Sequence, residues 1–276
     1  MILTDFDYVR PSTLAQALEL LGTGSRARVL AGGQSLLVDL RTGEDTAELL
    51  VDVRRLEELR GIRRTENGSL RIGAGTTLAE LAADRRVLDE APALAQAARA
   101  NGDPQVRNLG TVGGNLAARG RATDLPAAAI AADARVLIAG PTGRRSVPAE
   151  EFAATGAPTG SVVTALTVPP ARAGAFVKTA DRATRYPVCA VAVRVGPAGL
   201  RIAVTGATAR PVRLRGVEDR LRGTDLGTEA VLAAFRAEPR DRFTPGRGTS
   251  AEYLGHLAGV LTARALKRAR NLANST

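Results

Sequence analysis

Two short stretches hold the residue types that could grip a phosphate. AGGQSLL occupies residues 31–37 and GTVGGNLA occupies residues 110–117. Glycine tolerates positive φ and lacks the Cβ that would hold a ligand off the backbone. Successive amides in such a turn can converge on an anion. A helix that follows adds its N-terminal N–H groups and dipole. The first stretch has that layout, with a hydroxyl at Ser35. The second offers the same chemistry from a loop, with Thr111 and Asn115 as side-chain partners. Two such turns could share one dinucleotide diphosphate, and Asp124 downstream could bond a ribose or ribityl hydroxyl. Neither stretch is a GxGxxG or a GxxxxGK[ST].

The rest of the composition excludes other chemistry. One histidine, His256, and one cysteine, Cys189, leave no zinc ligand set, no Cys-bound iron–sulfur cluster and no disulfide framework. A Ser-His-Asp triad would have to use His256, which lies in a helical pattern, EYLGHLAGVL. The net charge is +10, almost all arginine, with lysine only at 178 and 267. Aromatic residues are 3% and tryptophan is absent, so no base-stacking platform for nucleic acid is expected. No apolar run reaches the ~20 residues that cross a bilayer, and no secretory signal is read at the start. The expectation is a cytoplasmic protein.

The elements that would position the two turns can be read locally. Thr13 and Gln16 cap a helix carrying Leu14, Leu18 and Leu21. Strands at 27–30 and 49–53 flank the first glycine turn and a helix from Ser35, which makes parallel-sheet material. Residues 62–72 alternate about Asn67-Gly68, a hairpin. Helices are expected at 77–83, boxed by Thr77 and Glu80, at 92–100, and from 125. Strands follow at 135–139, turning at GPTG, and at 161–168, ended by Pro169-Pro170. A meander covers 176–179, 189–195 and 200–205. The last helix, 250–273, capped by Thr249 with Glu252, aligns Leu254, Leu257, Leu261 and Ala265. PPARAG at 169–174 reads as a linker. The fold class is α+β in two domains.

The chain resembles the FAD-binding medium subunit of the molybdenum hydroxylases, the family of the carbon monoxide dehydrogenase flavoprotein and the equivalent part of xanthine dehydrogenase. AGGQSLL and GTVGGNLA match its two FAD motifs. FDYVRPSTLAQALELL, LLVDVRRLEELRGI, GSLRIGAGTTLAEL and SAEYLGHLAGVLTARAL resemble its intervening and C-terminal segments. The resemblance implies FAD as cofactor. It implies a two-lobed FAD-binding domain over 1–172, with a small parallel α/β lobe at about 1–56 and a larger mixed or antiparallel lobe at 57–172. A C-terminal antiparallel sheet with helices takes 173–276. Ala31, Gly32, Gly33, Gln34, Ser35 and Leu36 fall on the pyrophosphate turn. Gly110, Thr111, Gly113, Gly114 and Asn115 fall on the second FAD loop. Asp124 falls on an acidic FAD contact, and Lys178 on a lysine near the flavin.

In the ordinary reading of that resemblance, a molybdopterin large subunit oxidises the substrate. An iron–sulfur small subunit passes electrons to FAD here, and FAD delivers them to NAD, oxygen or another acceptor. The chain departs from the family at Ala118-Arg119-Gly120-Arg121, where an acidic Asp-Pro stretch is usual, and at Gly160-Ser161, where a glutamate is usual. Arg119 and Arg121, with Tyr186, are therefore candidates for holding an anionic substrate or acceptor in a stand-alone flavoenzyme. Tyr8 and Tyr186 are candidate flavin-stacking rings. A flavin-less binding module on the same fold is the third reading.

Overall fold

The computed structural model describes residues 5–23, 26–118, 120–197, 199–246 and 248–274. A small parallel sheet comes first. It is built from β1 (Asp7–Val9), β2 (Ala27–Leu30) and β3 (Leu49–Asp52) in the order β1-β3-β2. The crossovers are α1 (Leu14–Leu21) and α2 (Leu36–Thr42). Thr13 accepts the Gln16 N–H as expected, and Gln16 reaches back to the Ser12 amide. The parallel ladder puts Val9, Leu30 and Asp52 at one sheet edge, and the first glycine turn leaves from that edge.

Asp52 is buried at that edge and gathers a polar cluster. Tyr8 Oη donates to it, as do the Arg54 amide and guanidinium. Burial by itself would raise this carboxyl. The bonds from Arg54 and Tyr8 outweigh burial and hold it well below the usual carboxylate range. A depressed folded value means a stabilising contribution that is complete above about pH 4 and is lost as pH falls further. Asp52→Asn is therefore expected to cost about 2 kcal/mol near neutral pH and much less at about pH 2, read by urea unfolding at both. An equal loss at both pH values would contradict this.

The second sheet is antiparallel and five-stranded. Its strands are β4 (Ile62–Arg64), β5 (Leu70–Gly73), β6 (Arg135–Gly140), β7 (Gly143–Pro148) and β8 (Val162–Val168), ordered β4-β5-β8-β6-β7. Six helices cluster before β6: α3 (Leu78–Ala83), α4 (Arg85–Glu90), α5 (Pro92–Ala100), α6 (Pro104–Leu109), α7 (Val112–Ala117) and α8 (Leu125–Ala131). Another, α9 (Ala149–Thr155), follows β7. The Thr77–Glu80 capping box forms in full. At one end, Ala139 and Val162 of this sheet join the core of the parallel lobe with Leu14, Leu21 and Val51. That shared apolar patch fixes the two lobes together at their base.

The chain then builds β9 (Gly174–Ala180), β10 (Pro187–Gly196), β11 (Gly199–Thr205) and β12 (Val212–Arg213) as an antiparallel sheet, ordered β12-β11-β10-β9. The remaining helices are α10 (Arg215–Leu221), α11 (Thr228–Arg236) and α12 (Ala251–Asn274). Val191, Val193, Ile202 and Val204 face α12 and its neighbours. Phe176, Ala190, Ala192 and Ala203 on the other face complete the core around α5 and α8. Small side chains on both sides, Ala190, Ala192 and Ala203 against Ala127, Ala128, Ala129 and Ala131, let helix and sheet approach closely. The cap of α12 is Ser250, whose hydroxyl accepts the Tyr253 N–H, rather than Thr249, which bonds Gly246.

Candidate functional site

The first glycine turn follows β2 directly. Gly33 sits at φ 71°, the left-handed conformation that makes glycine the natural residue there. Ser35 precedes α2, but its hydroxyl makes no capping bond. No backbone amide from residue 32 to 36 donates to an acceptor among the described residues; the first to do so is Leu37, to the Gly33 carbonyl at 3.3 Å. Five consecutive open amides at a strand-to-helix turn are the kind of donors an anion can use. No carboxylate lies between residues 31 and 36. Ala31, Gln34 and Leu36 are half-buried within this turn, and Gln34 Nε2 folds back onto the Gly32 carbonyl at 3.1 Å.

The second stretch is different from the nest its glycines suggest. It is a capped helix, α7, not an open loop. Thr111 Oγ1 accepts the Gly114 N–H at 3.1 Å. The Val112 amide bonds the Thr76 carbonyl at 2.9 Å, and the Gly113 amide bonds the Ala74 carbonyl at 2.8 Å. The amides of Gly113, Gly114 and Asn115 are thus spent inside the protein, and the Thr111 N–H is the one left open. Gly113 is glycine because a Cβ there would lie 2.7 Å from the Ala74 Cβ. Asn115 is turned to structural use as well, its Oδ1 accepting the Leu125 N–H at 3.0 Å.

The two turns touch. A Cβ on Gly32 would lie 2.3 Å from the Leu109 carbonyl oxygen and 2.8 Å from the Gly110 Cα. What comes so close to the first glycine turn is the backbone of the second. The open amides of residues 32–36 and of Thr111 are therefore neighbours, and the exposed leucines Leu37 and Leu109 flank them. Open donors beside apolar flanks suit the diphosphate and rings of a dinucleotide.

Asp124 and Lys178, which the family resemblance sets near the cofactor, pair with each other. Lys178 Nζ lies 2.8 Å from both carboxylate oxygens, with hydrogen-bond geometry to Oδ2. It also donates to the Ala100 carbonyl at 3.1 Å. Asn101 Nδ2 donates to Asp124 Oδ2 at 2.9 Å. Burial pushes the Asp124 carboxyl up, and Lys178 and Asn101 oppose that. The pair is 6% and 1% exposed, so the lysine charge is neutralised and enclosed rather than aimed at solvent.

Arg121 is likewise committed. It pairs with Asp39 on α2 and lies 3.2 Å from Glu44. Two carboxylates of the parallel lobe, Asp39 and Glu44, thus hold the side chain that the sequence offered to an anionic substrate. Arg119 lies outside the described residues. Tyr186 is half-buried in the turn before β10. Tyr8 is engaged by Asp52 and Arg10. Cys189 is buried, which pushes its thiol up to about 12.

Family models match nearly the whole chain. Residues 4–171 match the FAD binding domain in molybdopterin dehydrogenase, and residues 175–269 match the CO dehydrogenase flavoprotein C-terminal domain. The carbon monoxide dehydrogenase medium chain of Hydrogenophaga pseudoflava is 38% identical over 98% of both chains. The chain belongs to the FAD-binding medium subunits of the molybdenum hydroxylases. The glyceraldehyde dehydrogenase medium chain of Sulfolobus acidocaldarius is 31% identical, spanning 95% of this chain and 98% of its own. Among solved structures, a Cu,Mo-CO dehydrogenase chain superposes with a TM-score of 0.88 at 31% identity, covering 98% and 99% of the two chains. Its relatives are FAD-containing dehydrogenase subunits, and FAD is the cofactor of the family domain.

Sequence reasoning missed three partners at this site: Asn101, Asp39 and Glu44. Asn101 stands in an NGDP turn, a readable punctuation, but nothing local tells that its amide meets Asp124. Among the described residues no group of three or more His, Cys, Asp or Glu could hold a metal ion, and no helix is long and apolar enough to cross a membrane.

Proposed function

We propose that this chain is the electron-carrying flavoprotein of a three-part hydroxylase. Its FAD takes electrons from an iron–sulfur small subunit, fed by a molybdopterin large subunit, and passes them to NAD, oxygen or another acceptor. FAD supplies the redox chemistry, storing two electrons and releasing them in ones or twos. The chain's own residues bind and orient. The amides of residues 32–36 and of Thr111 take the diphosphate. Ala31, Leu36, Gly110, Gly113, Gly114 and Asn115 shape that cradle. Asp124 and Lys178, closed on each other, fix where α8 and β9 meet beside it. In this reading residues 1–172 form the FAD-binding domain and residues 173–276 the domain that braces it.

The observation that carries the reading is the contact between the two glycine turns, which sets open amides of both side by side. The stand-alone reading loses its main support, because Arg121 is already paired. The test is a flavin spectrum of the purified protein followed by anaerobic titration with NADH. Yellow protein that co-purifies with iron–sulfur and molybdenum subunits is expected, and NADH bleaches its flavin directly if NAD is the acceptor. Colourless protein that takes up no added FAD would sink the reading.

A further inference from the structure

We propose that Arg121 is a positioning residue: a clasp that closes the parallel lobe onto the antiparallel lobe and sets how long FAD stays bound. The proposal rests on the FAD site described above and goes beyond it, because Arg121 lies where the family's usual acidic stretch is replaced.

The lobes are joined at their base by the apolar patch of Ala139, Val162, Leu14, Leu21 and Val51. A second junction is the backbone contact of Gly32 with Leu109 and Gly110. Neither is directional in charge. Arg121 supplies a third junction of another kind. Gly120, at φ 68°, turns the segment after α7, and the Arg121 side chain crosses to α2. There it meets Asp39 within the helix and Glu44 just beyond its end. Among the ion pairs of the described residues, these are the two that join a residue before 56 to one between 57 and 172. α2 is the helix that carries the open amides at its start. Holding α2 against the segment after α7 holds both glycine turns at one spacing.

The burial fits a clasp rather than a solvated surface pair. Arg121 is 18% exposed and Asp39 21%, against 64% and 52% for Arg26 and Glu48. A guanidinium bridging two carboxylates makes charge-assisted bonds about twice as strong as neutral ones. Their strength falls as salt rises, since Glu44 remains exposed. Opening the lobes far enough to free a dinucleotide must break these bonds.

The test is the rate of FAD release from the purified holoprotein, read as recovery of free-flavin fluorescence at low and high salt. Arg121→Gln is expected to release FAD roughly tenfold faster at low salt, the loss of a charge-assisted pair worth about 1.4 kcal/mol. Wild-type release should quicken with salt, and the variant's should not. Reversing both charges, Arg121→Asp with Asp39→Arg, is expected to recover part of the retention that Arg121→Asp alone loses. The melting temperature of each FAD-free protein separates a folding defect from a clasp defect. Arg121→Gln with wild-type release and wild-type salt dependence overturns the clasp while leaving the FAD site standing. A wild-type protein that takes up no FAD overturns both.

Discussion

Gly32→Ala should strip the protein of FAD. The added methyl would sit 2.3 Å from the Leu109 carbonyl oxygen and 2.8 Å from the Gly110 Cα. Both obstacles are backbone, so no side chain can swing aside. The turns must separate by on the order of 1 Å, at a cost of about 1–3 kcal/mol in stability. The loss of affinity is expected to be larger, on the order of 100-fold, because a misplacement of that size uncouples the amides that share the diphosphate. Flavin fluorescence quenching gives the dissociation constant and thermal unfolding gives the stability. Gly196→Ala is the control, since no atom lies within 4 Å of its added methyl. Wild-type FAD affinity in Gly32→Ala would mean that the spacing of the turns does not matter to the ligand. Gly33 is a softer site by comparison. Its Cβ would meet the tip of Leu37, at 2.9 Å, and the strain there comes from φ 71°.

Local signals explain which parts of the fold could be read in advance. The parallel lobe was legible because ARVL and LLVD are short apolar strands bracketing a glycine turn and a helix. Asn67-Gly68 announced β4 and β5, and Thr77 with Glu80 announced α3. What escaped was short. α4, α6 and α9 have six or seven residues, under two helical turns, too few for a periodic stripe to stand out. β1 is three residues long and close to Pro11, too short for an alternating pattern to show. The glycines of α7 point to a loop because glycine lowers helix propensity by about 1 kcal/mol. It is a helix because Thr111 caps it and Val112 and Leu116 bury against the core.

The site was legible in its backbone and not in its pairings. Glycines report the need for close approach, and they did so at 32 and 113. They do not report who approaches, and at both positions it is the protein's own chain. Asp39 and Arg121 are 82 residues apart, and Asp124 and Lys178 are 54 apart. A pairing at that separation depends on how whole layers stack, which no local pattern encodes. The same limit hid the C-terminal sheet's second face, where Ala190, Ala192 and Ala203 lie against the alanines of α8. Alanine-rich stretches read equally well as exposed helix or as close packing.

Lys178→Met should be among the most destabilising single changes in the protein, and its cost should depend on pH. The substitution keeps the bulk and removes the cation that neutralises Asp124, leaving a carboxylate 1% exposed with Asn101 as its remaining donor. Breaking one side of a buried ion pair costs about 3–5 kcal/mol. Burial already raises the Asp124 carboxyl, and Lys178 opposes that rise, so removing the lysine raises it further. A folded value above the unfolded one means that the native state holds a proton the unfolded chain has lost. Stability then falls as pH rises through the folded value and recovers below it. The deficit of Lys178→Met should accordingly shrink as pH falls from neutral toward the range of an unfolded carboxyl, as urea unfolding at neutral and acid pH would record. Lys178→Met with Asp124→Leu removes the stranded charge and should regain most of the stability, with no such slope. A deficit that is flat in pH, or a double variant no better than the single, would mean that the lysine acts through packing and not through its charge. The outcome bears on function directly. If the charge is consumed by Asp124, then Lys178 positions the junction of α8 and β9 beside the cofactor.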